Sequence, residues 1–245
     1  GTSWQPVSGG ITIAAGSTSV QARVATIDDV IADSGENFNL TATVTAGTTA
    51  NASATGTATI SDDSDAVTVS LTASTTVAEG GNIIYSATLG SPAVTAMTVT
   101  LSNGATINIA AGNISGSTPV AAPTDDVYVD AGSVSATIAS TSGGGFEAVS
   151  IKTAAATPSI TDTIDTTAAT LTATSTVAEG GAITYTVTLG APVTGSAVVV
   201  TLAGGQLITI PVGASSGTAT GTAPDNVYAG GGSVANHIVS ATGGN

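Results

Sequence analysis

Cysteine is absent from the 245 residues. No disulfide can hold the fold, and an extracellular chain of this kind needs another staple, for which metal ions are the usual substitute. Positive charge is almost absent too. Arg23 and Lys152 stand against 16 carboxylates, for a formal net charge of -14. That balance cannot neutralise a phosphate backbone, so nucleic acid is excluded as a partner, and anionic membrane surfaces with it. No apolar run approaches the roughly 18 residues that a spanning helix needs, which argues against membrane insertion. No basic-then-apolar stretch at the N-terminus marks a signal peptide either. Aromatic residues make up only 3% and charged residues only 7%, yet 42% of the chain is hydrophobic. Low hydrophobicity with high charge is the mark of disorder, so this composition points to a packed core. The single histidine, His237, has no Ser or Cys motif beside it, and nucleophile, base and orienter must converge for catalysis. The chain is not expected to be an enzyme.

What is present is Thr, Ser, Ala, Val and Gly in a long repeat. Thr76-Val77-Ala78-Glu79-Gly80-Gly81 returns as Thr176-Val177-Ala178-Glu179-Gly180-Gly181, 100 residues later. Asp126-Val127-Tyr128 returns as Asn226-Val227-Tyr228. A period of this size is that of a whole domain, so the chain reads as an array of similar modules. Within a module, Val67–Leu71, Ile83–Leu89, Thr98–Leu101 and Ala105–Ile109 alternate apolar and polar residues between Gly, Asn and Asp turns. Alternation with β-branched residues predicts half-buried antiparallel strands, and about seven in roughly 100 residues fit a small β-sandwich. The expected class is all-β, a tandem array of Ig-like antiparallel sandwiches joined by short linkers.

The boundaries follow from the repeat. Residues 1–65 match only the later part of a module, 66–166 form a complete one, and 167–245 lack the last strand or two. An open half-sandwich leaves unpaired edges. Two explanations stay open: the chain is a window on a longer polypeptide, or neighbouring chains complete each other by strand exchange.

The carboxylates collect at turns. Asp28, Asp29, Asp33 and Glu36 form one group, and Asp62, Asp63 and Asp65 another. In the complete repeat the groups are Glu79, then Asp125, Asp126 and Asp130, then Asp162 and Asp165. The third repeat keeps Glu179 and Asp225, with Asn226 and Gly230 where Asp126 and Asp130 stand one period earlier, and Glu147 is set apart. Two carboxylates about 4 Å apart repel by roughly 4 kcal/mol at an effective dielectric near 20. Stacking several at one end of a sandwich therefore calls for a cation. All-oxygen donors without His or Cys select Ca2+ over transition metals, and irregular loops suit it better than magnesium. Groups at the linkers would take ligands from both neighbouring repeats and stiffen the joint.

These residues carry a resemblance. Ile27-Asp28-Asp29-Val30, Glu36-Asn37-Phe38 and the closing Thr59-Ile60-Ser61-Asp62-Asp63 resemble Calx-β modules. The resemblance implies calcium at one end of each sandwich, held by Glu79, Asp125, Asp126, Asp130, Asp162 and Asp165 and, in the first module, by Asp28, Asp29, Asp33, Glu36, Asp62, Asp63 and Asp65, with the third repeat departing at Asn226 and Gly230. Longer phrases, including Val77-Ala78-Glu79-Gly80-Gly81, Leu189-Gly190-Ala191-Pro192-Val193 and Gly143-Gly144-Gly145-Phe146-Glu147, are similar to the extender repeats of giant Lap-type RTX adhesins. That likeness implies an extracellular place on a bacterial cell surface, export by type I secretion, and a calcium-dependent spacer role in adhesion and biofilm formation. Its partners would be neighbouring repeats of the same chain, the distal adhesion target being read elsewhere.

Two other classes stay open. One is an extracellular filament subunit completed by strand exchange. The other is a module that binds glycan, protein or ice, for which Trp4, Tyr85, Tyr128, Tyr185 and Tyr228 would supply a surface. The tyrosines recur at matching positions, which favours packing, and Trp4 is expected in a core. The Gly-Gly pairs at 80–81 and 180–181 lie between strands, so they are not phosphate loops.

Overall fold

Val, Ile and Thr are stiff at χ1 and pack well on a pleated surface, and here they sit at alternate positions. The computed structural model describes residues 9–32, 35–228 and 230–244. Every regular element among them is a strand, β1 to β18 in chain order. The fold is all-β, built of sheets packed as sandwich modules. Trp4 and Asp33 lie outside the described residues.

The chain forms two compact units. Gly1–Thr72, Tyr85–Thr118 and Ala136–Ala156 make the first, and Ala73–Ile84, Pro119–Ser135 and Thr157–Asn245 the second. In the first unit, β1 (Asn37–Thr43) and β2 (Ser53–Thr59) form an antiparallel hairpin in register from Asn37↔Thr59 to Thr43↔Ser53. Only Phe38 and Leu40 of it are half-buried. Polar cross-strand pairs hold its face, with the Thr57 and Thr59 hydroxyls donating to Asn39 and Asn37 at 2.7 and 3.0 Å.

The core of this unit lies further along. A four-stranded sheet runs β11 (Ala148–Ile151), β3 (Ala66–Ala73), β5 (Asn82–Leu89), β8 (Ser115–Ala121). A second runs β10 (Ile138–Gly143), β6 (Met97–Leu101), β7 (Thr106–Ile109). Val67, Val69 and Leu71 of β3 are buried while the residues between them face outward, and Met97, Val99 and Leu101 of β6 are buried in the same rhythm. Each such side chain stabilises by about 1.5–3 kcal/mol on full burial. The β3, β5 and β8 strands contribute residues to both units.

In the second unit a small sheet runs β4 (Thr76–Ala78), β12 (Ser159–Thr161), β9 (Gly132–Ser133). These three elements, of two or three residues each, are too short to show alternation. Two further sheets run β13 (Ala169–Ala173), β14 (Ala182–Leu189), β17 (Ser216–Thr222) and β16 (Leu207–Ile210), β15 (Val198–Leu202), β18 (Ile238–Thr242). Ile183, Tyr185 and Val187 of β14 pack with Val200, Leu202, Ile208 and Ile210 in one core. Tyr85 and Tyr185 are 1% and 3% exposed, so these two tyrosines are core residues.

Among the described residues, two strand pairings are parallel, not antiparallel. Ala148 pairs with Ala66 as β11 joins β3, and Ser159 pairs with Thr76 as β12 joins β4. Parallel pairing places the residues that flank corresponding strand ends side by side. That sets Glu147 beside Asp65, and Asp162 beside Glu79.

Candidate metal centre

The chain leaves β4 at Ala78 and turns at once through Glu79-Gly80-Gly81. Gly80 has φ +67°, a left-handed conformation that a side chain disfavours, and a Cβ there would sit 3.4 Å from Asp125 Cβ. The turn therefore lies directly against the Asp125-Asp126 loop. Gly80 N–H donates to Pro123 O at 2.7 Å, Ala122 N–H donates to Gly81 O at 2.9 Å, and Glu79 N–H donates to Thr161 O at 3.0 Å. Three segments distant in sequence are pinned together by backbone bonds.

Carboxylate oxygens of Glu79, Asp130 and Asp162 consequently lie within 4.8 Å of one another. Glu79 is only 8% exposed. Its Oε2 and Asp162 Oδ1 are buried without a hydrogen-bond partner. Burial raises the Glu79 pKa to about 7, assisted by a hydrogen bond to Asp130 and the charges of Asp130, Asp162 and Asp126. Beside this group, Asp126 Oδ1 accepts the Tyr128 amide at 2.8 Å and Asp125 accepts the Thr163 hydroxyl. Asp165 is exposed and outside the group.

A second group forms in the first unit. Oxygens of Asp28, Asp63 and Asp65 also lie within 4.8 Å of one another. The Asp63 charge, followed by that of Asp65, burial, an Asp63 hydrogen bond and the Asp29 charge, raises the Asp28 pKa. Glu147 joins from the start of β11. Its Oε2 accepts the Asp65 amide at 2.5 Å, and its Oε1 is buried with no partner. The amide bond pulls its pKa down, but burial, a hydrogen bond to Asp62 and the Asp62 and Asp63 charges outweigh that, so the net shift is upward. Asp29 Oδ1 accepts the Ile31 amide at 2.9 Å, and Glu36 lies outside the group, its carbonyl accepting the Ile60 amide at 2.8 Å.

Glu147 is the residue that sequence grouping missed. The glycine run Gly143-Gly144-Gly145 just before it marks a turn, but that signal is local, and Asp65 lies 82 positions back in the chain. Only the parallel β3–β11 pairing joins them.

The two groups are not copies. Asp63 corresponds to Thr163 one period later, and Asp28 opens the same Asp-Asp-Val phrase as Asp125. Where Asp63 faces Asp28 as a second carboxylate, Thr163 faces Asp125 as a hydrogen-bond donor. In the third repeat, Asp225 lies against the Gly180 turn, as Asp125 does against Gly80. Glu179 is exposed, however, and neither residue joins a group of three among the described residues. Residues 176–178 form no strand there.

Both groups consist of hard oxygen donors; buried oxygens without a hydrogen-bond partner belong to Glu79 and Asp162 in one and to Glu147 beside the other. Such an arrangement fits a divalent cation with a large, irregular oxygen shell.

A family model described as LapA domain matches residues 65–163 and again 165–245, most of the chain. No curated protein matches it. No helix among the described residues is long and apolar enough to cross a membrane.

Proposed function

The chain belongs to the LapA domain family, and from that premise we propose that it is a calcium-stiffened extender segment of a secreted bacterial adhesin. Membership carries a cell-surface, adhesin-related role, and with the all-β fold it favours structural rather than catalytic work. The finer reading is that Calx-β-like repeats, divided as 1–65, 66–166 and 167–245, hold a distal binding region away from the cell during attachment and biofilm formation. Export would follow the type I route of RTX adhesins.

One observation carries the calcium part: buried oxygens of Glu79 and Asp162 have no hydrogen-bond partner and lie in a group of three carboxylates. Such a group is costly when empty and favourable when a cation occupies it. Extracellular calcium modules bind with dissociation constants on the order of 0.1–1 mM. The sites would then be empty in the low-calcium cytosol and filled outside, leaving the chain pliable for export and stiff afterwards. Anything that binds only the folded state raises its melting temperature by mass action. Thermal unfolding of the full chain is expected to shift upward between excess chelator and millimolar calcium. A melt indifferent to calcium would remove the cation from this reading.

A further inference from the structure

Three loops in which Val follows Asp or Asn share one local shape. Asp29, Asp126 and Asn226 each accept, through Oδ1, the amide two residues on, at 2.9, 2.8 and 2.9 Å. This Asx turn throws the following pair forward: Val30-Ile31, Val127-Tyr128 and Val227-Tyr228. The first two pairs are seated. Ile31 forms an antiparallel bridge with Phe146, while Ala32 N–H donates to Gly145 O and Glu147 N–H to Val30 O, both at 3.3 Å. Tyr128 donates its hydroxyl to Pro192 O at 3.1 Å, and with Val127 it lines a half-open cleft of ≈ 220 Å³ whose opposite wall includes Pro192, Thr194 and Gly244.

The third pair is different. Val227 is 94% exposed and Tyr228 78%, whereas Val127 and Tyr128 are half-buried. The same Val-Tyr pair on the same turn thus differs in whether a surface receives it.

We propose that the Val-Tyr pair of this turn is a docking plug, and that Val227-Tyr228 seats on the proline loop and glycine turn of a further copy of the same repeat. The receiving surface suits it. Gly244 has φ +81°, a left-handed conformation that a side chain disfavours, and it lines the same cleft as Val127 and Tyr128. Tyr brings a rigid apolar body with a polar tip, and the proline of the receiving loop offers a carbonyl acceptor with no N–H beside it. At the earlier seat the contact is made by backbone, through the Ile31–Phe146 bridge. The device is apolar and requires no cation, so it goes beyond the calcium reading.

Site-resolved nitration of tyrosine in millimolar calcium tests the proposal. In the 245-residue chain, Tyr228 is expected to react several-fold faster than Tyr128, with Tyr85 and Tyr185 protected. The chain is then lengthened by placing a copy of residues 146–245 after Asn245, which preserves the repeat register. Tyr228 should slow to the rate of Tyr128, and Val227→Asp should restore its fast reaction. Equal reactivity of Tyr128 and Tyr228 in the original chain, or an unchanged fast Tyr228 in the lengthened one, overturns the proposal. A companion measurement needs no lengthened chain. Tyr128→Ala should speed amide hydrogen exchange at Val193 and Thr194 several-fold, while Tyr228→Ala should leave it unchanged. If both variants leave it unchanged, the plug has no docking role.

Discussion

Glu79 shows what burial does to a carboxylate that has no cation partner. The fold holds it among Asp126, Asp130 and Asp162, and its pKa rises from an ordinary 4.5 to about 7. The folded, cation-free chain therefore holds a proton more tightly than the unfolded chain. That contribution to stability is fully present below pH 4.5 and is lost as pH rises through about 7. In chelator, Glu79→Gln removes the titration. Denaturant unfolding of the variant and the parent should then diverge increasingly, in the variant's favour, as pH rises from 4.5 through about 7. In calcium the order should reverse, because the variant lacks a charged ligand. Thr163 offers the complementary test. It stands where the first group has Asp63, and its hydroxyl donates to Asp125. Thr163→Asp replaces that donor with a second acid, so the variant should melt lower than the parent in chelator and show a larger calcium-induced rise.

At the scale of elements, stability is concentrated in a few strands. Ile208 of β16 is fully buried among Tyr185, Val200 and Ile210. Ile208→Ala should destabilise by about 2–5 kcal/mol, the range for truncating a large core side chain. Ala54 of β2 is exposed on the outlying hairpin. Ala54→Ser should fall within about 0.5 kcal/mol of the parent, as surface substitutions generally do. Chemical denaturation followed by circular dichroism checks both. The long strands were legible because alternation of Val, Ile and Thr is a local property, and β3, β5, β6 and β7 fall where the pattern placed them. The short β4, β9 and β12 were not, because two or three residues carry no period. Yet β12 matters most for the site, since its parallel pairing with β4 brings Asp162 to Glu79.

For the whole molecule, the proposed stiffening has a measurable form. Small-angle scattering should give a longer maximum dimension in millimolar calcium than in chelator, and an unchanged dimension would count against cation control of the joints. The amino-acid sequence by itself determined the all-β class, the 100-residue period and the gathering of acids at turns, because each is written in residue order and local propensity. Tertiary structure alone decided which acids meet. Asp28, Asp63 and Asp65 converge while Asp165 stays in solvent, and Glu147 enters because β11 runs parallel to β3. It also decided that Tyr128 is seated and Tyr228 bare, although the two share a turn and a neighbour. Spacing along a chain sets what a residue can do locally. Its charge environment and burial depend on segments 38 to 82 residues away, such as those linking Thr163 to Asp125 and Glu147 to Asp65, and only the folded backbone brings these together.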